Sequence, residues 1–277
     1  MAKTGITVLV FYFIVVKTRT QGFDPAALEP LVAVERAWIL GVVLLLMPLN
    51  WALETMKWQL LIHPVHSVSF QKALTDVLMG LSLNWVLPFT LGDYLGRVWS
   101  YDQVGQASKA VVINRATSFF VTGWAGLTGV YGYLRMQGLV GVDVPVFFVF
   151  YGLVSIVLMW VVFVFLFRYR IPFFLTVLRY LVFMAPLVLL FRWSLPVDVS
   201  VSTLIMGVAW IFLIRSSIPS LFGALGLREA SALLFFDGLG HPAAILVPGL
   251  IVWFVNLVIP SLVGLALLLK YKVKLAT

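Results

Sequence analysis

Long stretches without a charged residue most constrain how this chain folds. Residues 145–167 contain no charged side chain and are apolar on every face of a helix. About 20 helical residues cross the hydrocarbon of a bilayer, so this stretch predicts a transmembrane helix. Charged residues make up 11% of the chain, against about 25% in an average soluble domain. A water-soluble globule could not cover this much apolar surface, and the same composition excludes a disordered chain.

Further apolar stretches predict an all-α, polytopic membrane protein in which residues 1–277 form a single membrane domain. The stretches are 5–16, 37–61, 70–87, 110–134, 145–167, 172–192, 200–218 and 243–269, together with the less apolar 220–239. Stretch 5–16 is shorter than a typical span, so it is either a short span or a helix at the interface. Residues 25–35 predict a short interfacial helix.

Two of these segments are broken in the same way. Each has a polar residue, a proline four residues later and a glycine four residues after that, followed by an acid and an arginine. The first set is Asn84, Pro88, Gly92, Asp93 and Arg97, and the second is Arg215, Pro219, Gly223, Gly226, Arg228 and Glu229. Proline and glycine break a helix and free backbone groups, which a membrane tolerates only inside the protein or beside water. Paired breaks in two halves are typical of transporter sites, whereas the simpler alternative is two ordinary turns at the membrane surface.

The distribution of basic residues predicts that the two broken segments enter the membrane from opposite sides. If the lysines after residue 269 are cytoplasmic, the hairpin at 70–99 opens to the cytoplasm and the one at 200–239 opens outside. The halves, about 37–134 and 172–269, then form an inverted repeat joined by the span 145–167. We therefore expect about six spans plus two re-entrant hairpins. A pair of full spans in place of each hairpin would leave the loops and termini on the same sides of the membrane.

This topology implies a multi-pass protein of the cell (inner) membrane, with cytoplasmic N- and C-termini. The net charge of +8 fits cytoplasmic loops and contact with anionic lipid, and not nucleic acid. The expected partners are therefore membrane lipids, most of all anionic ones. The sequence also allows a homo-oligomer or a complex with another membrane protein.

Charged side chains at membrane depth are the candidate site residues. A charge near the bilayer centre usually faces the protein interior and has a partner or a function. The guanidinium fork suits phosphate, and helix N-termini at the breaks add positive charge. The candidate ligands of a lipid phosphate are Arg97, Arg115, Arg215 and Arg228, and the candidate orienting or proton-exchanging acids are Asp93, Glu229 and Glu54. The alternative is that the arginines only pair with Asp93 and Glu229 and hold the hairpin tips.

Other polar residues have simpler interpretations. Asn50, Glu54 and Lys57 form a stripe that a local Glu54–Lys57 pair would explain equally well. Arg179 is close enough to a helix end to extend to the membrane surface. A row of glycines in 110–134 favours close helix packing.

Catalytic signals are weak. The chain has no cysteine, which excludes thiolate chemistry and disulfides. His63 and His66 flank a proline without a nearby acid, so we expect no metal there. The sequence contains no phosphate-binding loop and no nucleophile elbow. We therefore expect no enzyme activity and no cofactor.

Around its two breaks the sequence resembles the flippase-like membrane domain of lysylphosphatidylglycerol synthases, over about residues 5–270. The residues that carry the resemblance are Trp58, Pro88, Gly92, Asp93, Arg97, Arg115, Pro219, Gly223, Gly226, Arg228 and Glu229. The family usually has Glu at the position of Asp93 and an acid at that of Asn114. The soluble lysyl-transferring domain is not in this sequence, so the resemblance implies movement of a lipid and not its aminoacylation.

The expected function is translocation of an anionic or phosphate-bearing lipid, either a phospholipid or a polyprenyl-phosphate-linked one. Two alternatives remain open. A membrane enzyme acting on a lipid head group would have a buried acid–histidine pair or a metal. A non-transporting partner subunit would have fully paired arginines and no cavity between its hairpins.

Overall fold

The computed structural model describes residues 2–22, 24, 26, 29, 33, 37–87, 91–165, 167–195, 198–218 and 226–276. Most of the interfacial helix expected at 25–35 lies outside these residues. The described residues are helical and include no strand, so the prediction of an all-α protein is confirmed.

Eleven α-helices are formed by the described residues. In chain order they are α1 (Ala2–Gln21), α2 (Ala37–Ile62), α3 (Phe70–Leu83), α4 (Leu91–Val98), α5 (Val104–Met136), α6 (Val144–Phe165), α7 (Arg170–Ser194), α8 (Val201–Ser217), α9 (Leu227–Phe235), α10 (Pro242–Trp253) and α11 (Ile259–Ala276). A π-helical turn, Phe254–Val258, joins α10 and α11 into one continuous rod.

Among the described residues, four helices are long and apolar enough to cross a membrane. They are Ala37–Ile62, Val144–Val164, Arg170–Ser194 and Pro242–Lys270. The longest helix, α5, has 33 residues but carries polar side chains along its first half. The number of spans and the re-entrant course of the hairpins stay predictions.

The first broken segment folds as two antiparallel helices, α3 and α4, in backbone contact. The Asn84 side chain accepts a hydrogen bond from the backbone N–H of Asp93 (2.9 Å), which brings the start of α4 to the end of α3. A Cβ atom on Gly96 would lie 2.3 Å from the Cα of Gly80. Glycine at both positions therefore permits this close approach.

The two halves pack against each other through matched pairs of helices. Helices α2 and α7 pack against each other, α5 packs along α8, and α11 packs along α3. A Cβ on Gly129 of α5 would lie 2.2 Å from the backbone N of Trp210, and one on Gly264 of α11 would lie 2.0 Å from the carbonyl oxygen of Leu78. Half-repeats at 37–134 and 172–269 predict such matched contacts, and the repeat itself stays a prediction.

Helix α6, the expected joining span, is barely covered by the rest of the protein. Its residues Val149, Phe150, Leu153, Ile156 and Trp160 are each at least 60% exposed. An apolar surface of this extent is stable against lipid and unstable in water. By contrast, Phe191, Phe235 and Phe236 are buried in the core, where the ring centroids of Phe191 and Phe236 lie 4.7 Å apart.

Candidate anion site between the helices

One buried carboxylate, Glu54 of α2, collects side chains from three other helices. Arg97 Nη2 donates to its Oε1 at 2.7 Å, and Asn114 Nδ2 donates to the same oxygen at 3.0 Å. Arg179 Nη1 lies 3.0 Å and Lys57 Nζ 3.6 Å from Oε2. Helices α2, α4, α5 and α7 therefore meet at this carboxylate.

A second acid, Asp93 in the first turn of α4, extends the group. Its Oδ1 accepts a hydrogen bond from Arg97 Nε at 2.9 Å, and its Oδ2 accepts one from Arg115 Nη2 at 2.5 Å. Arg97 thus bridges Asp93 and Glu54. The structure brings together four residues that the sequence selected, namely Glu54, Asp93, Arg97 and Arg115.

Lys57 is completely buried and belongs to the same group. Its ammonium donates to Ser118 Oγ at 2.7 Å and to the backbone oxygen of Asn114 at 3.3 Å. The local Glu54–Lys57 pair therefore exists, but both of these hydrogen bonds run to α5. We call Glu54, Lys57, Asp93, Arg97, Asn114, Arg115 and Arg179 the arginine cluster.

Two tryptophan rings support the guanidinium groups of this cluster. The Arg97 guanidinium carbon lies 5.2 Å from the centroid of the Trp58 ring, and that of Arg179 lies 5.7 Å from the Trp51 ring. Trp51 Nε1 in turn donates to the Asn256 carbonyl at 3.2 Å. Such cation–π contacts are favourable where water is excluded, and they hold each guanidinium in place.

The arginine cluster has more positive than negative charge. Its described residues include four cations but only two carboxylates, a net charge of +2. Two buried donors, Arg97 Nη1 and Arg179 Nε, have no hydrogen-bond partner among the described residues. The side chain of Arg115 is 45% exposed, whereas that of Arg97 is 3% exposed. The cluster is therefore open at Arg115 and closed behind Arg97.

The second hairpin carries a smaller, self-contained pair. Arg228 donates to Glu229 Oε1 from both Nε (3.1 Å) and Nη2 (2.8 Å). Glu229 Oε2 accepts from the backbone N–H of Gly226 at 2.7 Å, which closes the first turn of α9. Gly226 has φ +88°, a conformation that favours glycine. This pair matches the alternative in which an arginine only holds a hairpin tip.

The remaining predicted residues are separate from these contacts. Arg215 lies over the Phe183 ring at 5.4 Å and within electrostatic range of Arg179 and Arg228. Gly92 is the second residue of α4, and a Cβ there would lie 2.2 Å from the backbone N of Asn84. The other predicted helix breaks, Pro88, Pro219 and Gly223, lie outside the described residues.

Polar pairs also occur away from the cluster. Asp76 is paired with Lys72 and accepts a hydrogen bond from Tyr101 Oη at 2.6 Å. Burial and this hydrogen bond raise the pKa of Tyr101. Lys17 of α1 pairs with Asp237 at 2.7 Å. Among the described residues, no three metal-ligating side chains form a group.

Sequence reasoning missed three members of the site. The structure contradicts the interpretation of Arg179 as a surface-seeking side chain, because its guanidinium lies beside the buried Glu54. Trp51 and Trp58 were not expected to support the arginines. One signal was available: no acid lies within one turn of Arg179 in its own helix, so a buried partner must come from another helix.

Neither a family model nor a curated protein nor a solved structure matches this chain. The resemblance to the lysylphosphatidylglycerol synthase flippase-like domain therefore rests on the quoted residues alone.

Proposed function

We propose that this protein moves an anionic, phosphate-bearing lipid between the leaflets of a membrane, with the arginine cluster holding the phosphate. The observation that carries the proposal is the net charge of +2 on the cluster. Excess charge in a low-dielectric interior is costly unless a counter-ion neutralises it. A bound anion is the counter-ion that these residues lack.

The unpartnered donors favour a ligand of this kind. Arg97 Nη1 is buried without a hydrogen-bond partner among the described residues. A buried donor left unsatisfied costs about 1–3 kcal/mol, and more when it is charged. A phosphate oxygen reaching past the exposed Arg115 would satisfy it with a charge-assisted hydrogen bond.

Movement across the membrane, beyond binding, is supported by the matched contacts of the two halves. Helix α5 packs on α8 as α11 packs on α3. Inverted halves of this kind can exchange conformations and expose one site to each leaflet in turn. The resemblance to a flippase-like domain points in the same direction.

A second candidate is a non-transporting partner subunit of a membrane complex. It is favoured by the Arg228–Glu229 pair, in which one arginine is held by its neighbouring acid and both are buried. If all the arginines served in this way, two carboxylates of a partner protein would neutralise the net charge of the cluster.

Leaflet exchange of a labelled anionic phospholipid in proteoliposomes distinguishes these functions. We expect exchange with the wild-type protein, a loss of about tenfold in Arg115→Gln, and an intermediate rate in Arg115→Lys. Arg135→Gln is the matched control, since Arg135 lies on the same helix but bonds to the Val142 carbonyl (2.6 Å) at its far end. Exchange that is equal in protein-free vesicles, with and without a proton gradient, would refute the flippase proposal.

A further inference from the structure

The arginine cluster also indicates which class of head group it binds. We infer that the lipid ends in a phosphomonoester and not in a phosphodiester, an inference that rests on the function proposed above. A phosphomonoester carries a charge of about −1.5 to −2 at neutral pH. A second ester bond removes the second ionisable oxygen, so a phosphodiester lipid cannot neutralise a net charge of +2.

The net charge of +2 is the formal count for the side chains in contact. Of the acidic residues of the chain, only Glu35 falls outside the described part. Within the described part, Glu54 and Asp93 are the carboxylates in contact with the four cations. One bound phosphodiester would leave about one positive charge uncompensated in a low-dielectric site.

The number of arginines in the cluster supports the same class. Arg97, Arg115 and Arg179 come from three different helices, α4, α5 and α7. The unpartnered atoms of Arg97 (Nη1) and Arg179 (Nε) belong to guanidinium groups fixed over separate tryptophan rings. A terminal phosphate has three unsubstituted oxygens, which can accept from three guanidinium groups at once. A phosphodiester has two such oxygens and carries a substituent in the third direction.

Access to the cluster fits a terminal phosphate. The exposed fractions of the side chains fall from 45% at Arg115 through 24% at Arg179 to 3% at Arg97. A ligand therefore meets Arg115 first and Arg97 last. Of the two classes, an unsubstituted phosphate needs less room beyond Arg115, and its lipid tail stays in the bilayer.

Two monoester lipids share this chemistry, phosphatidate and polyprenyl phosphate, and the test includes both. Labelled phosphatidate, polyprenyl phosphate and phosphatidylglycerol are incorporated separately into phosphatidylcholine proteoliposomes. At a pH of about 7 we expect at least one monoester to exchange about tenfold faster than phosphatidylglycerol. Near pH 5 the advantage should be lost, because the second pKa of a phosphomonoester is about 6. The monoester that exchanges shows whether the phosphate belongs to phosphatidate or to a polyprenyl phosphate.

The outcomes separate this inference from the function on which it rests. Exchange of phosphatidylglycerol at least as fast as that of both monoesters overturns the inference and leaves the flippase proposal standing. Absence of exchange for all three lipids refutes the flippase proposal itself.

A variant tests the charge argument directly. Arg179→Gln lowers the net charge of the cluster to +1, so the preference for the monoester should fall toward unity, whereas Arg135→Gln should keep it. An unchanged preference in Arg179→Gln would overturn the inference. If this variant does not fold, native mass spectrometry of the wild type with equimolar phosphatidate and phosphatidylglycerol provides the test. The inference requires that the protein retains more phosphatidate than phosphatidylglycerol.

Discussion

Arg97 hydrogen-bonds Asp93 through Nε and Glu54 through Nη2, so one guanidinium links two carboxylates on different helices. All three side chains are buried. The planar guanidinium of arginine can make both hydrogen bonds at once, whereas the single ammonium of lysine cannot make both with good geometry. The hairpin α3–α4 is therefore fastened to α2 by a group that has no conservative replacement.

Replacing Arg97 should destabilise the protein even when the charge is kept. We expect Arg97→Lys to lower the free energy of unfolding by about 2 kcal/mol, and Arg97→Met by about 3–5 kcal/mol, because Met removes one hydrogen-bonded partner from each of two buried acids. Thermal unfolding in detergent measures both, with Arg135→Lys as the control. Adding Glu54→Gln to Arg97→Met should cost less than the sum of the single changes. Strict additivity would mean that the two side chains do not interact.

Arg228 should behave as a structural residue more than as a ligand of phosphate. Because Glu229 holds its guanidinium through two nitrogens, Arg228→Ala should lower the unfolding free energy by about 3 kcal/mol. Arg228→Lys should keep the charge pair, most of the stability and most of the lipid exchange. A variant Arg228→Lys that folds normally yet loses exchange would instead place Arg228 among the ligands of phosphate.

The glycines between the halves should not tolerate a methyl group. A Cβ on Gly129 meets the Trp210 backbone at 2.2 Å, and one on Gly264 meets that of Leu78 at 2.0 Å. Each alanine variant should lose about 1–3 kcal/mol, because two helix backbones must separate. The matched control is Gly123→Ala, since nothing lies within 4 Å of that Cβ and alanine favours a helix. Equal stabilities for Gly129→Ala and Gly123→Ala would contradict the packing of α5 on α8.

Single cysteines can test the inverted topology, because the chain contains none. Asp102 follows the first hairpin and Asp237 follows α9, and both are exposed. An impermeant maleimide should label Asp102→Cys only from the cytoplasmic side and Asp237→Cys only from the opposite side. Lys17 lies beside Asp237, so Lys17→Cys should be labelled from the same side of the membrane as Asp237→Cys. Labelling of positions 102 and 237 from the same side would exclude an inverted repeat.

The sequence predicted the helices well, because uncharged apolar stretches leave few alternatives in a bilayer. The predicted helix ends were less accurate where polar residues continue a helix beyond the apolar stretch. Helix α5, for example, begins at Val104, although its apolar stretch begins at residue 110. Hydrophobicity marks the part of a helix in lipid and does not mark where its backbone hydrogen bonds end.

The candidate site was predicted in part, and the errors share a physical cause. Glu54, Asp93, Arg97 and Arg115 lie together, since buried charges seek partners, whereas Arg228 and Glu229 pair with each other elsewhere. Arg179 was misjudged because a sequence shows which charges are near a helix end but not which helices are neighbours. Phosphate binding by these residues stays a prediction.

The π-helical turn at Phe254–Val258 sets the angular register of the last helical rod. Before the turn, Gly249 lies against the side chain of Glu229, and after it Gly264 lies against Leu78. One residue more or less rotates everything beyond it by about 100°. Deleting a single residue from 254–258 would turn Gly264 away from α3 and present a bulkier side chain there. This turn is therefore a phase adjuster, and single-residue insertions or deletions within it should be far less tolerated than in the loops.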